Sequence, residues 1–156
     1  MINLILDKVI EDPDQYVKDI LKLKFQDVQD GDKLFKGIQI RKDDELQAKI
    51  EKSYPDYYVT YNFVRQSPLN QIEPNFIHTD EMMGDKTVLL YLNKENPPGA
   101  GTTLYDYDNP MCMFFAKYNR LVIFDSNIPH SRNIFKNFGT GNSSRLLQVM
   151  FLKKKA

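Results

Sequence analysis

The chain has almost nothing with which to cross-link itself, since Cys112 is the single cysteine among 156 residues. One cysteine forms no intrachain disulfide and no thiolate cage, so any metal must take nitrogen and oxygen ligands. Net charge is missing as well. Lys plus Arg and Asp plus Glu both total 21, so no overall field draws the chain to nucleic acid or to an anionic membrane. The one basic run, Lys153-Lys154-Lys155, reads as a solubilising tail. No apolar stretch reaches membrane-spanning length, and the opening Met1-Ile2-Asn3-Leu4 lacks the basic start and cleavage site of a secretory signal. A reducing, cytosolic setting is the expectation. Histidine is scarce too, with only His78 and His130 present.

What is there is ordinary globular material. Apolar residues at 42% and charged residues at 27% argue against disorder, and the length suits one domain over 1–156. The first 56 residues mix helix and strand. An apolar run extends from Ile2 to Ile10, and Asp12-Pro13 then starts a helix, with Asp12 as N-cap and Val17, Ile20, Leu21 and Phe25 on its apolar face. A second helix is predicted over 43–52, capped by Asp43 or Asp44, with Leu46 and Ile50 four apart and Pro55 ending it. Residues 35–41 alternate as a strand does. From Tyr57 onward, short runs of Val, Ile, Phe, Tyr and Leu alternate with Pro, Gly and Asn clusters, which is all-β punctuation. Strands are predicted over 57–65, 75–79, 86–92, 102–107, 112–117, 121–125, 131–136 and 145–152. The fold class expected is mainly β with N-terminal helices: a double-stranded β-helix, or jelly-roll, core over 57–152, with the helices covering an outer face.

The chemistry concentrates on the two histidines. In His78-Thr79-Asp80 an imidazole and a carboxylate lie two residues apart, and on extended backbone both leave from one face. His130 follows the buried-looking run Leu121-Val122-Ile123-Phe124-Asp125 and a turn at Pro129. Two imidazoles and one carboxylate on a single face form a triad that leaves coordination positions open and suits iron(II). A His-x-Asp triplet by itself is common in unrelated sequences, so the weight falls on its combination with His130 in a β-rich chain.

With its flanking motifs, the stretch from Tyr57 to Leu152 resembles the 2-oxoglutarate and iron(II)-dependent dioxygenases, nearest the prolyl 4-hydroxylase branch and its small bacterial and phage-encoded members. The motifs are Leu89-Leu90-Tyr91-Leu92-Asn93-Lys94, Gly99-Ala100-Gly101-Thr102-Thr103-Leu104, and Arg120 to Ser126 followed by Pro129-His130. The resemblance implies iron(II) held by His78, Asp80 and His130, with 2-oxoglutarate as co-substrate and O2 as oxidant. It implies Arg145 as the anchor of the distal carboxylate of 2-oxoglutarate, with Arg132 as the competing position, and Tyr91 as a donor to that carboxylate. Tyr91 reads equally well as plain core. Tyr58 and Tyr61 remain unassigned co-substrate tyrosines. The segment 138–144, between His130 and Arg145, is longer than the hydroxylase branch usually has.

The implied activity is hydroxylation of an unactivated C–H bond, with release of succinate and CO2. Retention of Asp80 favours hydroxylation over halogenation. A prolyl or other amino-acid residue of a peptide is the leading substrate, followed by a free small molecule. Residues 66–75 and 93–101 border the inferred mouth, whereas 81–85 reads as a turn. The rivals are a cupin-like protein that binds or senses a metal without turnover, a nucleic-acid demethylase of the same superfamily, which the neutral charge disfavours, and a degenerate scaffold. Oligomeric state is left open. Small size and Lys, Asn, Ile and Asp richness suit a phage gene acting in host cytoplasm or an AT-rich microbe.

Overall fold

A computed structural model of the chain describes residues 2–67, 72, 76–133 and 136–156. Among them are ten strands and two α-helices, which run β1 (Ile2–Asp7), α1 (Pro13–Lys22), β2 (Gln26–Asp30), β3 (Lys33–Ile40), α2 (Glu45–Ser53), β4 (Tyr57–Gln66), β5 (Lys86–Tyr91), β6 (Gly101–Asp106), β7 (Asn109–Phe115), β8 (Arg120–Asp125), β9 (His130–Arg132) and β10 (Leu146–Lys154). The large sheet has the order β1-β8-β5-β10-β4-β3-β2, and the small one β7-β6-β9. Every pairing within them is antiparallel. No helix among the described residues is long and apolar enough to cross a membrane.

Side-chain alternation sorts the large sheet into two buried faces. Val64, Val88, Leu90, Leu121, Ile123, Met150 and Leu152 turn to the helices, where they meet Tyr16 and Ile20 of α1 and Leu46 and Ile50 of α2. Leu89, Tyr91, Val122 and Phe124 turn the other way, onto Leu104 and Phe114 of the small sheet and Ile128. A mainly β architecture with helices on one outer face is therefore as the sequence indicated. Each helix buries residues at i and i+4. Asp12 and Asp44 cap them, their carboxylates accepting from the backbone N–H of Gln15 and Gln47.

Several boundaries differ from those read in the sequence. The N-terminal third does not merely support the β core, because β1, β2 and β3 belong to the large sheet itself. Arg120 clamps β1 to β8 through both carboxylate oxygens of Asp7, at 2.7 and 3.0 Å. The hairpin strand β2 was not anticipated. Among 75–79, residue 75 lies outside the described residues, Phe76 and Ile77 are not in strand, and His78 alone forms an isolated bridge, to His130. The strand expected over 131–136 ends at Arg132, and 134–135 lie outside the described residues.

Gly101 shows why the Gly-Ala-Gly turn needs its last glycine. Its φ is +143°, and a Cβ there would overlap the carbonyl of Phe114 on the neighbouring strand. The turn thereby lets β6 pass close to β7 and carries Thr102 and Leu104 inward.

Candidate metal centre

Backbone pairing brings the triplet and the distant histidine together. His78 N–H donates to the His130 carbonyl at 3.0 Å and His130 N–H to that of His78 at 2.9 Å. Asp80 is fixed separately, by its N–H on the carbonyl of buried Ser126 at 2.9 Å. The turn reading of 81–85 agrees with the Met83 N–H bond to the Asp80 carbonyl at 2.8 Å.

The side chains converge. His130 Nε2 lies 2.9 Å from Asp80 Oδ2, and His78 Nε2 lies 3.7 Å from Asp80 Oδ1. One ligand atom from each of the three residues falls within 4.8 Å of the others. Bonds of roughly 2.0–2.2 Å at right angles set neighbouring donor atoms about 3 Å apart, so a six-coordinate divalent ion fits with small closure. The other ring nitrogens decide the tautomers. His78 Nδ1 faces the Phe76 carbonyl at 3.1 Å and His130 Nδ1 the Ile128 carbonyl at 2.9 Å, so each Nδ1 donates to its carbonyl, and a ring that is neutral in this tautomer turns an Nε2 lone pair to Asp80. Two lone pairs and a carboxylate facing one another repel unless a cation lies among them. This donor set therefore fits a metal ion.

Burial is graded across the centre. The His130 side chain is 7% exposed, Asp80 20% and His78 39%. The ring of Phe124 stands edge-on to His130 at 5.0 Å, shielding the inner side. The centre is therefore open to solvent on the His78 side.

A narrow cavity lies between the sheets. Tyr91, Asn93, Ala100, Arg132, Arg145 and Leu147 are among the residues that line it. Tyr91 is buried, and its hydroxyl shares a 2.7 Å bond with Thr102 Oγ1. Burial pushes the phenol up, against the Thr102 hydrogen bond and the positive charge of Arg145. Tyr91 therefore stays a neutral hydroxyl. Arg145 immediately precedes β10, and its Nη1 donates to Ser67 Oγ at 3.4 Å. Tyr58 and Tyr61 are about half exposed and line no part of this cavity.

In the sequence Asn93 stood out only within the Leu89–Lys94 motif and the 93–101 turn, with no role of its own. Its Nδ2 donates to the Ser144 carbonyl at 3.0 Å and its Oδ1 accepts from Leu146 N–H at 2.8 Å, gripping the residues on both sides of Arg145. Only the long-range pairing of β5 with β10 reveals this.

No protein-family model matches the sequence, and no curated protein matches it either. Solved structures do match. A prolyl hydroxylase from Trichoplax adhaerens, in complex with a peptide fragment of the hypoxia inducible factor oxygen degradation domain, superposes with a TM-score of 0.64 at 17% identity, covering 96% of this chain and 82% of its own. The fold is that of the prolyl hydroxylases. A prolyl-4-hydroxylase from Pseudomonas putida matches at TM-score 0.62 and 13% identity over 98% of this chain and 92% of its own. An oxidoreductase of the 2OG-Fe(II) oxygenase family from Burkholderia pseudomallei gives 0.61 and 13% over 96% and 84%.

Proposed function

We propose that the chain is an iron(II)- and 2-oxoglutarate-dependent oxygenase that hydroxylates an unactivated C–H bond, with the two sheets serving as its double-stranded β-helix core. The observation that carries this reading is the convergence of His78, Asp80 and His130, with Arg132, two residues from His130 on β9, lining a cavity together with Arg145 and Tyr91. The shared fold supports it.

In this reading His78, Asp80 and His130 would hold the iron and leave it accessible to 2-oxoglutarate and O2. Bound iron supplies the redox step that couples oxidative decarboxylation of 2-oxoglutarate to substrate hydroxylation. The residues of the chain do the rest. Carbonyl groups of Phe76 and Ile128 hold both imidazoles in the ligating tautomer. Arg145 takes the distal carboxylate through a forked, charge-assisted contact, and the neutral Tyr91–Thr102 hydroxyl pair offers a further donor beside it. Phe124 keeps water from the inner flank of His130.

A peptide is the proposed substrate, since the graded opening on the His78 side is rimmed by the exposed side chains of Phe76 and Ile77. The matching Trichoplax enzyme has a peptide bound. The test is succinate release from 2-oxoglutarate under air with iron(II). Metal- and 2-oxoglutarate-dependent release, stimulated by proline-containing peptides, is expected. Iron-saturated protein that releases no succinate with any peptide or small molecule tried contradicts the proposal.

A further inference from the structure

Asp80 rests on one buried residue, Ser126, which directly follows β8. The Asp80 N–H donates to the Ser126 carbonyl at 2.9 Å, and the Ser126 N–H donates in turn to the carbonyl of Asp85 at 2.9 Å. The turn that leaves Asp80 and returns at Asp85 therefore closes around Ser126. Its far end is fixed on β10, because Asp85 N–H meets the Leu152 carbonyl at 2.6 Å and Asp85 Oδ2 accepts from Lys154 N–H at 2.8 Å. Its near end carries the carboxylate of the metal centre.

Ser126 is itself held by a hydroxyl pair. Its Oγ lies 2.9 Å from Thr87 Oγ1 of β5, and both residues are fully buried. Thr87 pairs with Phe124, the residue whose ring stands against His130. Ser126 also opens the turn to His130, in which Ile128 N–H closes on the Asp125 carbonyl at 3.1 Å and the Ile128 carbonyl takes His130 Nδ1. Two of the three ligands are thus reached through Ser126. Core stability does not call for the pair, because two buried hydroxyls lose in desolvation much of what their bond returns, and an apolar pair of the same shape can serve as well. What an apolar contact lacks is direction. The hydroxyl bond fixes the orientation of Ser126, and with it the carbonyl on which Asp80 N–H is seated.

Resting on the metal-binding part of the functional reading above, we propose that Ser126 is a positioning residue for the metal centre. Its bond to Thr87 sets the carbonyl that holds Asp80, and so the placement of that carboxylate against the two imidazoles. Neither hydroxyl ligates the ion.

The experiment pairs calorimetric titration with Mn(II) and urea melts in chelator, on wild type, Ser126→Ala, Thr87→Val, the double variant and Thr87→Ser. Each of the first two variants is expected to bind Mn(II) about 10-fold more weakly. The double variant should bind no more weakly than either single one, since one bond is lost in all three, yet it should melt closer to wild type because no hydroxyl is left buried without its partner. Thr87→Ser keeps the hydroxyl and should keep wild-type Mn(II) affinity. Should Ser126→Ala not fold, Thr87→Val carries the same test with the shape of the side chain preserved. A purely structural role would move the melts and leave Mn(II) affinity alone. Wild-type Mn(II) affinity in a folded Ser126→Ala, Thr87→Val or double variant, or a loss in Thr87→Ser as large as in Thr87→Val, overturns the proposal alone. Wild-type protein that binds no Mn(II) overturns the functional reading and this inference with it.

Discussion

His78 and His130, far apart in the chain, exchange both of their backbone hydrogen bonds, at 3.0 and 2.9 Å, and their rings stand 4.4 Å apart. The convergence of the two rings is thus written into the main chain, and each imidazole can be altered without unpairing the other's backbone.

The two histidines should nevertheless behave differently when removed. His130→Ala deletes a buried ring packed on Phe124 and is expected to cost about 1–3 kcal/mol of stability, whereas His78→Ala, at a side chain 39% exposed, should stay within about 0.5 kcal/mol. Both should lose Mn(II) binding. Denaturant melts in chelator, paired with Mn(II) titration, check this.

Asn93→Ala should act on the co-substrate without touching the metal. It removes both hydrogen bonds that grip Ser144 and Leu146, leaving a buried carbonyl and a buried N–H unmatched, for about 2 kcal/mol of stability. Arg145 then loses its fixed origin. A roughly 10-fold weaker 2-oxoglutarate affinity with unchanged Mn(II) affinity is expected by calorimetry.

Asp44, the N-cap of α2, should contribute to the acid sensitivity of the fold. Burial pushes its carboxyl up, but the Gln47 N–H, the Gln148 amide and Arg41 together outweigh burial and hold it below the usual value. A lowered folded pKa means that the carboxylate's stabilisation is present above about pH 4 and is lost as pH falls through the folded value. Asp44→Asn should be less stable at pH 7 by about 2–4 kcal/mol, with a smaller further loss between pH 5 and 3 than wild type. Urea melts across that range measure it, and parallel pH curves for the two proteins would contradict it.

Gly101→Ala should be among the most damaging single-methyl additions. A Cβ there meets the Phe114 carbonyl, and the backbone of β7 must give way. Loss of soluble, cooperatively folding protein is expected, while Gly99→Ala, whose Cβ would meet nothing within 4 Å, carries only the cost of its positive φ.

Legibility in the sequence followed locality. Both helices could be read because Asp12 and Asp44 cap them and their apolar residues are spaced by one turn. The strands of the β core could be read because two buried faces make them continuously apolar, as in Leu121-Val122-Ile123-Phe124. Strand β2 could not, because Gln26–Asp30 is an edge strand with Val28 as its one apolar residue, though Asp30-Gly31 is a hairpin signal. The triplet and the second histidine were visible as residues, but their convergence depends on a two-bond bridge that no local pattern encodes. The same limit applied to Arg132 and Arg145. Strand parity turns each inward, but only the stacking of the two sheets brings both to one cavity.

Anaerobic addition of iron(II) and then 2-oxoglutarate, followed by visible absorption, tests the central claim most directly. The weak charge-transfer band of a 2-oxo acid chelated to iron is expected, saturating with 2-oxoglutarate in wild type and absent in Asp80→Ala. No band from iron-saturated wild-type protein, or a band undiminished in Asp80→Ala, would contradict it.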